Sequence, residues 1–372
     1  MTKYNENNER IKRKYLVFLK QAKGQNEASI DAVAKAISRF EDYNQYRDFK
    51  RFHHEQAIGF KRHLVKQKHH CTGQALSMAT LNSTVRHLKA FIEWLSREVG
   101  YKSRINYSDA EYFNLSDKDA RIAKAKRQKP VATVAQIEHV LGVMPTDSVL
   151  SRRDRAIIAF TLLTGLRDSA IASLKLKHID LQAGTVYQDA REVNTKFSKS
   201  FTTWFFPVDA KVLAIVSEWV EYLKTECFFG GDDPLFPKTQ MGQGGDSNFQ
   251  ALGLSREHWA TAAAIRKIFK QAFNAADLPY FNPHSFRHSL VALGERLCQT
   301  PEELKAWSQN LGHEGVLTTL YSYGEVQSGR QAEIFTRFRN PPDAVDQANT
   351  GQLSADDIAK AVVRQMAAKE AI

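Results

Sequence analysis

The amino-acid sequence predicts a mainly α-helical protein of two domains, with a small antiparallel β-sheet in the second domain. Three observations support this prediction. The chain has 372 residues, which is longer than one typical domain. Apolar residues recur at helical spacing along most of its length. Residues 180–208 depart from that spacing and are rich in Val, Thr, Phe and Trp around turn-forming residues, as short strands are.

The first domain, residues 1–115, is predicted to be entirely helical. Three of its segments, at 9–22, 29–43 and 77–100, place apolar side chains on one helical face. Ser29 is the candidate N-cap of the second segment, and Gly100 marks the expected end of the third. The residues on these faces are Ile11, Tyr15, Phe18 and Leu19, then Ile30, Val33, Ile37 and Phe40, then Leu81, Val85, Leu88, Phe91, Ile92 and Leu95.

The positive charge of the chain is concentrated in its first third. Residues 1–130 carry 27 Lys and Arg against 14 Asp and Glu, a net charge of +13, whereas residues 131–372 have a net charge of −2. Such an excess predicts a surface that binds a polyanion, because each cation placed near a phosphate releases condensed counterions. A helical domain that is merely well solvated is the alternative. Candidate contacts to nucleic acid that lie off the apolar faces are Lys61, Arg62, Arg86 and Lys89.

A short basic connector, residues 116–130, is predicted to join the two domains. Its sequence DKDARIAKAKRQKP combines a dense run of Lys and Arg with the closing Pro130. This run favours nucleic acid as the polyanion, since a basic stripe can follow a phosphate backbone. Its candidate contacts are Lys124, Lys126, Arg127 and Lys129.

The second domain, residues 131–340, is predicted to mix helices with short strands. A helix is expected to follow the cap Thr133, and residues 151–179 are expected to form two apolar helices broken near Gly165. Two or three antiparallel strands are expected within residues 180–208. From residue 209 onward the chain is predicted to be helical again, apart from a Gly-rich loop at 242–248 that does not match a phosphate-cradling motif.

Cysteine and histidine usage predicts neither a disulfide framework nor a metal site. The three cysteines are widely separated and lack C-x-x-C spacing, so they are expected to be reduced thiols. A local group of three histidines and one cysteine lacks a second pair of ligands at suitable spacing. The cysteines are Cys71, Cys227 and Cys298, and the local group is His63, His69, His70 and Cys71.

Hydropathy predicts a protein without a membrane span. No stretch approaches the roughly 20 apolar residues of a membrane helix, and the basic N-terminus has no apolar signal core. The expected location is the cytoplasm.

Six residues of the second domain have side chains that suit one reaction, the cleavage of a phosphodiester. Taken alone, each has an ordinary structural explanation, such as a salt bridge, a helix cap or a solvated strand lysine. Taken together, two arginines and two histidines can hold a phosphate whose oxygens gain charge in the transition state. A tyrosine can act as the nucleophile, and a lysine can protonate the leaving oxygen, without a metal or a nucleotide cofactor. The candidates are Arg167, a strand lysine that is Lys196 or alternatively Lys199, His284, Arg287, His313, and Tyr323 or alternatively Tyr321.

In order and local sequence, these residues resemble the active-site pattern of the tyrosine recombinases of the phage integrase family. The pattern is an Arg in TGLR, a Lys on a β-hairpin, a His-x-x-Arg in HSFRH, a His in LGH and a downstream Tyr. The resemblance spans residues 130–340, and the basic helical part before it resembles the family's core-binding domain. It implies catalytic roles for Arg167, Lys196, His284, Arg287, His313 and Tyr323.

One departure from the family pattern concerns an acidic residue. Family members commonly carry an acid three residues after the first arginine, where it supports the active site. This chain has Ala170 at that place. The nearby Asp168 is expected to project from a different face of the helix, so the support and not the arginine itself is in question.

The second departure concerns the nucleophile. Many family members place it nine residues after the histidine of LGH, a position that is Ser322 in this chain. Tyr321 comes one residue earlier and Tyr323 one residue later. One inserted residue after Thr319 would align Tyr323 as the nucleophile and leave Tyr321 as a packing aromatic.

The resemblance implies recombination between two sites on double-stranded DNA. The two domains are expected to close around the duplex, and four protomers, each monomeric or dimeric when free, to assemble on two sites. Attack by the tyrosine would leave a 3′-phosphotyrosyl bond and a free 5′ hydroxyl, and the conserved bond energy removes any need for ATP. A directionality factor could be a further partner.

The C-terminal tail, residues 341–372, is predicted to contain an amphipathic helix after the cap Ser354. In the family the corresponding tail often docks on the neighbouring protomer. Docking on its own catalytic domain is the alternative for this tail.

Two other functions fit the same sequence. A type IB topoisomerase shares the Arg, Lys, Arg, His and Tyr set but reseals the strand it cut. An accessory DNA-binding protein could keep the fold without catalysis, which the alanine at position 170 would permit. Relaxation of DNA without a paired site would indicate the topoisomerase. Covalent trapping on DNA would exclude the accessory protein, which has no catalytic activity.

Overall fold

The computed structural model describes residues 4–69, 73–125, 130–243 and 248–313. It confirms the predicted fold class, a mainly helical chain with small antiparallel sheets. The chain divides into two compact units, Met1–Lys129 and Pro130–Ile372. Within the described ranges, no helix has both the length and the apolar character needed to cross a bilayer.

The first unit contains five α-helices in its described part. They enclose one core rich in aromatic side chains, with Tyr15, Phe40, Phe60, Phe91 and Phe113 all buried. The helices are α1 (Glu6–Gln21), α2 (Glu27–Asn44), α3 (His54–Lys66), α4 (Met78–Leu95) and α5 (Asp117–Lys124), with 3₁₀ turns at Phe49–Arg51 and Tyr107–Phe113.

Two predicted helix boundaries in this unit are wrong. Helix α2 begins three residues early because the side chain of Asn26, not Ser29, caps it, accepting the Ser29 amide at 2.9 Å. Helix α4 ends at Leu95, since the chain from Ser96 onward forms successive tight turns. The basic connector is also partly helical, because Ser116 caps α5 by accepting the Asp119 amide at 3.1 Å.

The second unit contains seven α-helices and five strands in its described part. Helix α6 starts after Thr133 with a capping box to Gln136, as predicted. The elements are α6 (Val134–Val143), α7 (Val149–Thr164), α8 (Asp168–Ile171), β1 (Ile179–Asp180), β2 (Thr185–Gln188), β3 (Phe201–Trp204), α9 (Ala210–Thr225), β4 (Thr239–Gln243), β5 (Phe249–Leu254), α10 (Ala263–Ala275), α11 (Pro283–Leu297) and α12 (Pro301–Asn310).

The strands form two antiparallel sheets. The predicted two or three antiparallel strands are three, in the order β1-β2-β3. The prediction of helix throughout the region after residue 209 is wrong, because β4 and β5 pair on either side of the Gly-rich loop. The assignment of Lys196 and Lys199 to a strand is also wrong. Both lie in the connection between β2 and β3, at a 3₁₀ turn spanning Lys196–Ser198.

Helix α7 is the centre of the second unit. Every side chain from residue 156 to residue 164 is buried, and α7 packs against α6, α9, α10 and α11. The predicted second helix after Gly165 is reduced to the single turn of α8, followed by a 3₁₀ turn at Leu176–His178. The buried end of α7 therefore fixes where Gly165 and Arg167 leave the core.

Candidate active site

Arg287 joins the two motifs that flank the candidate site. It lies on the second turn of α11, only 2% exposed. Its guanidinium donates to the backbone carbonyl of Gly165 through Nη1 and to that of Leu311 through Nη2. The planar fork of an arginine is suited to such divergent donation. Arg287 thereby ties the TGLR turn to the LGH turn, two segments far apart in sequence.

The Nε of Arg287 is buried and has no hydrogen-bond partner among the described residues. A buried donor without a partner costs free energy, so such a group calls for a further partner, such as an ordered water, an ion or a ligand. A guanidinium whose other nitrogens are held by carbonyls still carries a full positive charge. The group is therefore suited to an anionic ligand.

Gly165 is required at the end of α7 for two reasons. Its φ is +61°, a left-handed conformation that closes the helix. A Cβ at this place would come within 2.8 Å of Leu290 Cδ1 and 2.9 Å of Leu311 Cδ2. Leu290 is on α11 and Leu311 precedes the LGH glycine, so the absence of a side chain lets three segments of the site meet.

Arg167 occupies the N-cap position of α8, directly after this turn. The neighbouring Asp168 pairs with Arg266 of α10 at 2.6 Å and accepts the Ser169 amide at 2.9 Å. Asp168 is thus committed to α10 and to the start of its own helix. Ala170, at the place of the acid in the family pattern, is 2% exposed and packs in the apolar core.

His313 is buried beside Arg287. Its Nε2 lies 3.0 Å from Nη2 of Arg287. Because a guanidinium has no acceptor, Nε2 must accept this bond, and the proton of the neutral ring is therefore on Nδ1. Burial, followed by the charges of Arg287 and Arg167, lowers the pKa of His313 to about 4.

His284 lies at the start of α11, one turn before Arg287, and its ring is 5.4 Å from that of His288. Desolvation, followed by the charges of Arg287, His288 and Arg167, lowers its pKa to about 4. The charge of Lys196 also contributes to the lowered pKa of His313. Five predicted residues are thus close enough to influence one another electrostatically: Arg167, Lys196, His284, Arg287 and His313. Tyr321 and Tyr323 lie outside the described residues.

The buried, neutral His313 should make the stability of the second unit depend on pH. Its pKa falls from 6.5 to about 4 on folding, so the unfolded chain binds the proton more tightly. The contribution of neutral His313 to the free energy of unfolding is complete above pH 6.5 and is lost as the pH falls toward 4. At about 1.4 kcal/mol per pKa unit, the total loss is about 3 kcal/mol. Urea unfolding across this pH range measures the change.

The matched comparison for this pH effect is His313→Asn against His139→Asn, which alters an exposed histidine of the same unit. The first variant should show a flatter dependence of the unfolding free energy on pH, and the second should follow the unaltered protein. Equal slopes for all three proteins would contradict a buried neutral His313.

Asn310 is a residue of the site that sequence patterns missed. Its side-chain oxygen accepts the Trp204 amide at 2.7 Å, and its side-chain nitrogen donates to the Trp204 carbonyl at 2.9 Å. Two residues later, Gly312 has a φ of +70° and lies against the ring of Phe201, where a Cβ would come within 2.6 Å. Both contacts join β3 to the LGH turn. The hairpin that bears Lys196 is therefore fixed to the segment that bears His313.

The candidate nucleic-acid contacts of the first unit differ in their availability. Lys61 donates to the Asn114 carbonyl at 2.6 Å, and Lys89 donates to Glu111 at 2.8 Å and to the Asn114 side chain at 3.2 Å. These two lysines brace the start of the basic connector. Arg62, Arg86 and Lys124 are exposed, and Lys126, Arg127 and Lys129 lie outside the described residues.

No group of metal-ligating side chains occurs among the described residues. His70 and Cys71 of the local histidine group are outside them. His63 instead contacts Gln67, with 2.9 Å between the two side-chain nitrogens.

Comparison with known proteins shows the family to which this chain belongs. The model of the phage integrase family matches residues 131–330, more than half of the chain. Tyrosine recombinase XerC of Halalkalibacterium halodurans is 24% identical over 326 residues, which cover 86% of this chain and 94% of the relative. Tyrosine recombinase XerD of Staphylococcus epidermidis is 24% identical over 328 residues, covering 87% and 96%.

Solved structures share the fold. A lambda integrase dimer bound to a COC′ core site matches with a TM-score of 0.58 and 12% identity, covering 86% of this chain and 96% of the integrase chain. The Tn1549 transposon integrase in complex with transposon right end DNA matches with a TM-score of 0.53 and 16% identity, covering 88% and 99%. From the family match and its relatives, the chain belongs to the phage integrase family and is a tyrosine site-specific recombinase.

Proposed function

We propose that this recombinase cleaves and rejoins double-stranded DNA through a covalent 3′-phosphotyrosyl intermediate on Tyr323, without ATP or a metal ion. The observation that carries the proposal is Arg287, buried between the TGLR and LGH turns with one donor unpaired among the described residues. Arg167 and Arg287 both act electrostatically on His284 and His313, which supports the binding of one phosphate by these four side chains. DNA as the substrate is supported by the DNA-bound integrases of the same fold and by the charge of +13 on residues 1–130.

The proposed cleavage step is an in-line displacement at phosphorus. The phenolic oxygen of Tyr323 loses its proton to solvent water and forms a bond to phosphorus as the bond from phosphorus to the 5′ oxygen breaks. Arg167 and Arg287 stabilise the charge that grows on the non-bridging oxygens, and His284 and His313, both neutral at pH 7, serve as hydrogen-bond partners. Lys196 gives a proton to the leaving 5′ oxygen.

Rejoining reverses this chemistry on a new strand. The 5′ hydroxyl of the partner strand attacks the phosphotyrosyl phosphorus and releases Tyr323. One phosphodiester replaces another, so the sum of bond energies is unchanged. Four arginine and histidine side chains supply the electrostatic stabilisation that a metal provides in other phosphoryl-transfer sites.

A nicked suicide substrate that carries the cognate site tests the proposal directly. Loss of the short strand beyond the nick should trap the protein on DNA as a species that survives denaturant. Failure to trap would indicate the accessory DNA-binding function instead. Trapping together with DNA relaxation, but without exchange between two paired sites, would indicate the topoisomerase function.

Lys196→Ala should slow cleavage of an ordinary substrate by about 10²- to 10⁴-fold, because the leaving 5′ oxygen loses its proton donor. A substrate with sulfur at the 5′ bridging position should restore the rate, since a thiolate leaves without protonation. Lys199→Ala is the matched control and should cleave both substrates normally. The opposite result for the two lysines would identify Lys199, and not Lys196, as the general acid.

We further propose that four protomers act on two DNA sites, with residues 341–372 docking between protomers and a directionality factor as a possible partner. The spacing of Ile358, Val362 and Met366 gives the tail one apolar face that must be buried on another surface. These residues lie outside the described part of the chain.

Deletion of residues 353–372 should leave binding to a single DNA site nearly unchanged and impair synapsis and recombination. Band shifts on one-site and two-site DNA measure the two effects separately. A truncated protein that pairs sites and recombines normally would contradict the proposed docking between protomers.

A further inference from the structure

The segment that carries Lys196 is tied to the helix turn that carries Arg167. The amide of Asn194 donates to Oγ of Ser173 at 2.8 Å, and Oγ of Ser169 donates to the Asn194 carbonyl at 3.3 Å. Ser173 also donates to the Ala170 carbonyl at 3.0 Å, so its hydroxyl is both donor and acceptor. The amide and the carbonyl of Asn194, two residues before Lys196, are thus both held by serines in or directly after α8.

A second tie lies two residues earlier. The carboxylate of Glu192 accepts from Lys177 at 2.9 Å and from Lys175 at 3.1 Å, and lies 2.9 Å from Nε2 of His178. Nδ1 of His178 accepts the Lys175 amide at 3.0 Å, so the proton of the neutral ring is on Nε2, which donates to Glu192. These contacts hold the carboxylate on the 3₁₀ turn that follows α8.

Between these ties the chain is also held by the core. Val193 is 3% exposed, and its amide donates to the Asp189 carbonyl at 2.7 Å. The Thr195 amide donates to the Val193 carbonyl at 2.7 Å, which makes a tight turn immediately before Lys196. Residues 189–195 are therefore anchored directly before Lys196.

We propose that Ser173 and Glu192 are positioning residues for Lys196. This inference rests on the proposed role of Lys196 as the proton donor. A lysine has a long flexible stem, so its amine reaches a fixed point only if its backbone is fixed. A shift of about 1 Å in a group that transfers a proton can cost about 10²-fold in rate. Ser173 supplies the tie to the helix of Arg167, so both groups move with one element.

Ser173→Ala is the primary test. It removes the acceptor of the Asn194 amide and leaves Ser169 as the remaining tie. We expect cleavage of the ordinary substrate to slow by about 10- to 100-fold with DNA affinity unchanged. The substrate with bridging sulfur should be cleaved at nearly the unaltered rate, because it needs no proton from Lys196. Ser173→Thr keeps the hydroxyl and should restore cleavage of the ordinary substrate.

Two further variants keep the test decisive if Ser173→Ala unfolds. Glu192→Gln removes the charge that holds Lys175 and Lys177, and it should show the same preference for the sulfur substrate. In the Lys196→Ala background, neither Ser173→Ala nor Glu192→Gln should slow cleavage further, since a positioning effect disappears with the group it positions.

The outcomes separate this inference from the proposed function. If sulfur rescues Lys196→Ala but Ser173→Ala is equally slow on both substrates, Ser173 supports the fold or Arg167, and the positioning role is overturned. Normal cleavage of the ordinary substrate by both Ser173→Ala and Glu192→Gln would overturn it as well. If sulfur fails to rescue Lys196→Ala itself, the proposed role of Lys196 fails first.

Discussion

Tyr323→Phe should abolish the covalent complex with DNA and leave binding to the recombination site nearly unchanged. Only the phenolic oxygen is removed, so contacts that depend on the ring persist while the nucleophile is lost. Removal of a nucleophile lowers turnover by about 10⁴-fold or more. Trapping on a suicide substrate, with a band shift for affinity, measures both quantities on the same preparation.

Tyr321→Phe is the matched control, because it removes the same atom two residues away. It should trap on DNA as the unaltered protein does. Trapping by Tyr323→Phe but not by Tyr321→Phe would make Tyr321 the nucleophile and remove the inserted residue from the proposed alignment with the family.

Arg287→Lys should slow cleavage by about 10²- to 10³-fold, although the positive charge is kept. The compact ammonium of lysine cannot donate to the Gly165 carbonyl, the Leu311 carbonyl and His313 at once, as the guanidinium does. The TGLR and LGH turns would then lose their common partner. Arg287→Ala should be worse, because two buried carbonyls would be left without a donor.

Arg296→Lys serves as the control for Arg287→Lys, since it makes the same change on an exposed face of α11. Its cleavage rate and its unfolding free energy should match those of the unaltered protein. If Arg287→Lys cleaves DNA at the normal rate, the joining of the two turns by Arg287 has no catalytic consequence.

Much of the fold was predictable because burial imposes a period on the sequence. The apolar faces of α1, α2 and α4 follow from the spacing of residues such as Ile11, Phe40 and Leu88, which are buried as expected. Strands β4 and β5 were not predictable by this means. Most of their side chains are exposed, including Phe249 and Met241, so no alternation of buried and exposed residues appears in the sequence.

The candidate site was predictable only where unusual side chains recur in a known order. His284, Arg287 and His313 stand in short motifs, and their chemistry suggests a phosphate. Ser173, Glu192 and Asn310 stand in no motif. Ser173 and Asn310 bind backbone groups distant in sequence, and Glu192 binds the side chains of Lys175, Lys177 and His178. Serine, glutamate and asparagine at such positions resemble ordinary surface residues until the fold brings their partners near.

The pairing of Asn310 with Trp204 also affects the hydrogen-bonding groups of a strand edge. Among the described residues β3 is the last strand in the order β1-β2-β3, and an edge strand exposes amides and carbonyls that can recruit a strand from another molecule. The amide side chain of Asn310 engages both backbone groups of Trp204, whose indole is 61% exposed. These two backbone groups are therefore not available to pair with a strand of another molecule.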